Sequence, residues 1–222
     1  MKRVAGAFLA LAGALGAQVA QQANSTYQTE AGRKNVAQGL NSPSREQTQK
    51  PGELIRAMGL DPGMTVADIG TGVGFMLPFL SKRVGPAGRV LAEDIFDDFL
   101  TGAKQTAEEQ KLTNIAFIKG TETDPNLPEG QVDMELVLDA YHHFDYPEKM
   151  LAALRKALKP DGKLVIVEYY KRESAMPNGR ALTHIRLDMP DVIKEVEANH
   201  FHLIMEKEHI KNVQYMLLLE KS

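Results

Sequence analysis

The 222-residue sequence predicts an α/β protein: a single doubly wound, mostly parallel seven-stranded sheet with an antiparallel C-terminal strand. Three observations predict it. Short apolar runs alternate with segments of helical periodicity from Thr65 to about Asn199, the pattern of a parallel sheet crossed by helices. The first of those runs ends in "GTGVG", a loop between strand and helix with glycine at alternate positions. The last two runs, "FHLIMEKEHI" and "QYMLLLEK", are joined too closely for a parallel crossover, so they should pair antiparallel.

The chain opens with Lys2 and Arg3 and an uncharged Ala/Gly/Leu run from Val4 to about Ala20. A basic start followed by a short apolar run has the form of a secretory signal, and it is too weakly hydrophobic for a membrane span. Residues 1–20 are therefore expected to be a signal peptide and the protein to be exported, to the periplasm, with a cytoplasmic protein as the alternative. Residues 21–50 are polar and read as a lead-in segment outside the core. The folded domain is expected over 51–222.

In that domain "PGELIRAMGL" places Leu54, Ile55, Met58 and Leu60 on one helical face, with Pro51 at a first helical position. A strand over Thr65–Ile69 leads into the glycine loop, and a helix follows over about Phe75–Val84. "RVLAED" is a strand, Asp97 to Gln110 a helix and "IAFIKG" a strand. The loop "TETDPNLPEGQ" leads to the strand "VDMELVLD", then to a helix over Pro147–Leu158 that "KPDG" ends. "KLVIVEYY" is the next strand. Lys171 to Arg186, with Pro177-Asn178-Gly179 as its turn, reads as a lid over a substrate, ahead of a helix near Pro190–Asn199.

The function is written mainly in "VADIGTGVGFM". Glycine lets the backbone take positive φ and lets a ligand approach closely, and the N-terminus of a following helix offers free amides. No GxxxxGK[ST] is present, which removes the triphosphate loop. The spacing G-x-G-x-G differs from the G-x-G-x-x-G of dinucleotide binding, and Asp68, two residues before Gly70, would repel a pyrophosphate. Asp94 closes the second strand, where an acid can accept hydrogen bonds from both ribose hydroxyls of a nucleoside; Glu93 should point to the other face.

Asp68-Ile69-Gly70-Thr71-Gly72-Val73-Gly74 resembles motif I of the class I S-adenosylmethionine-dependent methyltransferases. "ALKPDGKLVIVEYY" resembles their fifth-strand block. "QKPGELIRAMGLDPGMTVADIG" and "LDAYHHFDYPEKML" resemble a bacterial branch related to the type 11 and quinone-methylating groups. The resemblance covers about residues 43 to 222. It implies a Rossmann-like methyltransferase fold, S-adenosylmethionine as cofactor and a small-molecule methyl acceptor. It also implies cofactor contacts from Asp68, Gly70, Thr71, Gly72, Gly74, Asp94 and Asp139. An adenine contact is expected from Glu122, with Asp124 as second choice, because Thr121 stands where the family often has an acid. The sequence leaves two other readings open: a NAD-dependent oxidoreductase, and a binder of S-adenosylmethionine or S-adenosylhomocysteine without turnover.

Methyl transfer from a sulfonium needs alignment above all, and a base only where the acceptor must lose a proton. The candidates follow the fourth strand: Asp139, Tyr141, His142, His143 and Asp145, with His142 first and His143 second as the base. The competing reading makes both histidines a hydrogen-bonded turn. Glu168, Tyr169 and Tyr170 end the fifth strand, where the tyrosines either line an acceptor pocket or pack. No metal site is expected: His200 and His202 share a strand face without a third ligand nearby. Cysteine is absent, which removes thiolate chemistry and disulfides, and a net charge of −3 with no dense basic run after residue 3 gives no sign of a nucleic-acid groove, so no nucleic-acid partner is expected.

Overall fold

The computed structural model describes residues 20–222. The expected signal peptide lies, apart from Ala20, outside the described residues. Seven strands form one sheet in the order β3-β2-β1-β4-β5-β7-β6. These are β1 (Thr65–Ile69), β2 (Arg89–Asp94), β3 (Ile115–Lys119), β4 (Val132–Leu138), β5 (Leu158–Tyr169), β6 (Phe201–Ile210) and β7 (Gln214–Lys221). The first five run parallel to one another, and β7 is antiparallel to both its neighbours, as its short link to β6 demands.

The strands are apolar on both faces because helices cover both. Ala67, Ile69, Val137, Leu164 and Ile166 pack into one buried cluster. Their alternating neighbours Val66, Leu136, Val165 and Val167 pack into the other. This period-2 split is what a doubly covered parallel sheet requires. The order reverses between β1 and β4, so the loops leaving their C-terminal ends part to opposite sides and leave a crevice.

Eight helices are used below: α1 (Glu30–Leu40), α2 (Arg45–Gln49), α3 (Pro51–Met58), α4 (Leu77–Val84), α5 (Asp97–Glu109), α6 (Pro147–Ala157), α7 (Ala181–His184) and α8 (Met189–Ala198). In α6, Met150, Leu151, Leu154 and Ala157 are the buried stripe. "KPDG" does not end a helix ahead of β5. Leu158 already pairs with Val132, the register then shifts, and pairing resumes between Met134 and Lys163.

The lead-in is ordered and helical. Thr29 caps α1 by accepting from Gly32 N at 3.1 Å. Arg33 pairs with Asp98 on α5 at 2.6 Å, and the Arg45 guanidinium lies 4.2 Å from the Phe75 ring centroid. No residue of α1 is buried. It therefore carries no strong apolar stripe, which is why the sequence reads as linker although the segment packs over the sheet's C-terminal edge.

Candidate cofactor and acceptor site

The crevice is a cavity of about 1000 Å³, roofed by α1, α2 and the turn before them. Its size is at the upper end of small-molecule and cofactor sites.

The glycine loop forms one wall. Gly70 and Gly72 have φ of 69° and 57° and line the cavity with Thr71. A Cβ on Gly72 would lie 2.9 Å from Leu40 of α1, so the roof sits directly on the loop. Two residues expected to touch the cofactor instead lie behind this wall. Asp68 is buried below the loop and accepts from the Thr71 hydroxyl at 2.7 Å; burial is the main cause that lifts its pKa to about 6. Gly74, at φ 85°, faces α5, where a Cβ would stand 3.1 Å from Ala103 Cα. Both shape the loop without lining the cavity.

Asp94 lines the cavity at the end of β2. One carboxylate oxygen accepts from Gly72 N and the other from Phe96 N, both at 2.9 Å. Each oxygen keeps a second lone pair, so the carboxylate can still accept two ribose hydroxyls. Burial raises its pKa to about 6, and the two backbone amides pull it back down. Glu93 departs from the expectation of the opposite face. It also lines the cavity and accepts from Gly70 N at 3.2 Å, while its Oε1 is buried with no partner. The room for it comes from Gly120, where a Cβ would collide with that oxygen. Glu122 lines the cavity and Asp124 does not; Asp124 accepts from Asn126 N at 2.8 Å within its own loop.

Asp139 follows β4 in a left-handed conformation, φ 53°, rare for a residue with a side chain. Gln49 of α2 donates to one of its oxygens at 2.9 Å and Gln214 of β7 to the other at 2.6 Å. Burial first, then the charge of Glu168, lifts its pKa to about 7. The carboxylate thus ties the roof to the sheet.

The far end of the cavity is built on the turn Tyr141–His143. His142 is 3% exposed. Its backbone N–H and its Nδ1–H both donate to Glu168 Oε2, at 3.1 and 2.6 Å, and Glu168 Oε1 accepts from Tyr169 N. His142 Nε2 is buried with no partner. His143 Nδ1 lies 2.6 Å from Asn24 Oδ1, and its Nε2 lies 3.4 Å from the Tyr27 hydroxyl. His184, from α7, brings a third imidazole, its ring centroid 4.8 Å from that of His142. Burial drives the pKa of His143 well down and that of His184 to about 3, with the neighbouring His142 and Arg180 acting the same way. Tyr169 lines this end; Tyr170 does not, and packs on Tyr215. Of the expected lid, Met176, Arg180, Thr183 and His184 reach the cavity. Asp145 lines it too, its Oδ2 accepting from Asn24. His200 and His202 stand at the start of β6, away from the cavity.

Sequence reasoning missed Asn24, Tyr27, Arg45 and Gln49, all from the lead-in, together with Gln214 and His184. Gln49 opens the block "QKPGELIRAMGLDPGMTVADIG" and His184 lies in the expected lid, but no local pattern marks any of the six for the site; the fold brings five of them to the crevice and sets Gln214 behind Asp139.

A sheet of this order, with a glycine loop after β1 and an acid at the end of β2, defines a Rossmann-like protein of the methyltransferase type. A family described as "Methyltransferase domain" matches residues 67–166. The ubiquinone/menaquinone biosynthesis C-methyltransferase UbiE of Bordetella avium (strain 197N) is 29% identical over 143 residues, 64% of this chain and 55% of that protein. The UbiE of Ectopseudomonas mendocina (strain ymp) is 27% identical over 53% of this chain and 46% of its own. The chain thus spans about half the length of the curated relatives it matches. A SAM-dependent methyltransferase from Aquifex aeolicus has a crystal structure that superposes with a TM-score of 0.77 and 28% identity, covering 83% of this chain and 96% of that one. Residues 67–166 thus match a methyltransferase domain, and the chain is similar to S-adenosylmethionine-dependent methyltransferases. The crystal structure of the cyclase SpnF, at a TM-score of 0.65 and 15% identity, has the same fold, so fold alone does not carry the reaction. Among the described residues no helix is long and apolar enough to cross a membrane.

Proposed function

We propose that the protein moves a methyl group from S-adenosylmethionine to a small-molecule acceptor held at the histidine end of the cavity. One observation carries this: a single cavity runs from the glycine loop and Asp94 to the cluster of His142, His143, His184 and Tyr169. The nucleoside fits at one end, on the free lone pairs of Asp94 beside the close backbone of Gly70–Gly72, with Glu122 at the rim for adenine. The acceptor fits at the other.

When bound, the cofactor supplies a methyl group on a sulfonium, already a strong electrophile. The chain's residues do the rest. Asp94 fixes the ribose through charge-assisted hydrogen bonds. Gln49, tied to Asp139, holds α2 across the opening and keeps water out. His142, its Nδ1–H held by Glu168, presents the Nε2 lone pair to the ionisable group of an acceptor, directly or through a cation. The relatives named for quinone biosynthesis support an aromatic hydroxyl compound as the first acceptors to try.

Calorimetry with S-adenosylhomocysteine and with NADH separates this from the oxidoreductase reading. S-adenosylhomocysteine should bind and NADH should not. Release of S-adenosylhomocysteine with a panel of phenols, thiols and amines then separates an enzyme from a silent binder. We propose further that the Lys2-Arg3 start and the apolar run after it export the chain. Residues 1–20 fused to a reporter that is active only outside the cytoplasm should switch that reporter on.

A further inference from the structure

We propose that His142, His143 and His184 form a three-imidazole site for a divalent transition metal of the zinc class, with its open position facing the acceptor end of the cavity. Existence of the site does not depend on the methyl-transfer reading; only its consequence for the acceptor does.

One nitrogen from each ring lies within 4.8 Å of the other two, and these three side chains are the only such His/Asp/Glu group found among the described residues. The hydrogen bonds behind the rings decide which nitrogens are free. Glu168 already accepts two backbone N–H groups, from His142 and Tyr169, and a carboxylate offers only lone pairs, so His142 Nδ1 is the donor and Nε2 carries the lone pair. That Nε2 is buried with no partner, in a residue that lines the cavity.

The same logic fixes His143. Asn24 Nδ2 donates to His143 O at 3.0 Å and to Asp145 Oδ2 at 3.1 Å, which sets the amide so that Oδ1 accepts from His143 Nδ1–H. Its Nε2 is then an acceptor, approached only by the Tyr27 hydroxyl at 3.4 Å. The carboxylate behind His142 and the amide oxygen behind His143 are the support that metal-ligating histidines use to set tautomer and direction. Metal–nitrogen bonds of about 2.0–2.1 Å need the three rings to close slightly on a common centre. His184 can do so, since it sits on the one-turn helix α7 and, among the described residues, only the exposed Arg180 comes within hydrogen-bond distance of its ring nitrogens.

Three neutral ligands leave the metal its full charge and a fourth position. Arg180 beside it favours an anion there. Such a site takes a hydroxyl or thiol that loses its proton to solvent on binding, and disfavours amines.

The test is metal binding to the full chain freed of metal by chelator. Zn²⁺ should bind at one equivalent by calorimetry, and Co²⁺ should give the intense visible bands of a four-coordinate site. His184→Ala should weaken Zn²⁺ binding about 100-fold or more and abolish the bands, while Glu168→Gln, which keeps all three ligands, should weaken it about 10–100-fold. Absence of the Co²⁺ bands in the wild type, or Zn²⁺ binding unchanged in either variant, overturns the proposal. S-adenosylhomocysteine titrated into the same samples reads the cofactor site separately. Cobalt bands with no nucleoside binding keep the metal site and sink the cofactor reading; the reverse sinks the metal site alone.

Discussion

Asp94 accepts the amide hydrogen of Gly72 at 2.9 Å, so the acid at the end of β2 holds the glycine loop in place while it faces the cavity. One side chain thereby shapes the loop and offers its remaining lone pairs to a ribose.

Asp94→Ala removes both roles. S-adenosylhomocysteine binding should weaken by about 1–3 kcal/mol through lost charge-assisted hydrogen bonds. Calorimetry measures it, and an unchanged affinity rules out the ribose assignment.

Gly74 lies behind the loop, outside the lining of the cavity. Gly74→Ala should destabilise the fold by about 1–3 kcal/mol, because φ is 85° and the new methyl would press on the Ala103 backbone. Chemical denaturation reads this directly. Loss of cofactor binding at full stability would contradict a structural role.

Glu135 sits on β4 between Ala67 and Leu164, buried, with both oxygens unpartnered. Burial raises its pKa well above 4.5. The folded state then keeps a proton that the unfolded chain releases, so this residue costs stability increasingly as pH rises above 4.5. Glu135→Leu should stabilise the protein by about 1–3 kcal/mol at neutral pH and by less in acid. Melting curves at several pH values would show the difference; a gain independent of pH argues against the ionisation account.

Arg186 is buried at 4% exposure and forms a double hydrogen bond with Glu195, which also accepts from the Tyr141 hydroxyl at 2.6 Å. This network anchors the segment that carries His184 to α8. Glu195→Ala leaves a buried guanidinium unpaired and should cost about 3 kcal/mol. A variant as stable as the wild type would show that water reaches Arg186.

The elements near the loop were legible because each has a local cause. β1, β2 and β7 fall where their apolar runs place them, and the antiparallel end follows from a three-residue link. Asp94, Gly70, Gly72 and His142 also face the cavity as expected. What the sequence hid is non-local. Glu93 turns toward the cavity since Gly120, just past the end of β3, leaves it room. His184 joins His142 only through the path of the chain between β5 and α8. The lead-in reads as linker because its inner face meets a polar cavity, so Asn24, Tyr27 and Gln49 carry no apolar periodicity to announce them.

The central claim is that the cavity between the glycine loop and the histidine cluster holds the cofactor in one orientation. A crystal structure with S-adenosylhomocysteine tests it most directly. The account predicts both ribose hydroxyls on the Asp94 carboxylate, with the sulfur directed toward His142 and His184. A nucleoside bound elsewhere, or the opposite orientation with its ribose away from Asp94, would contradict it.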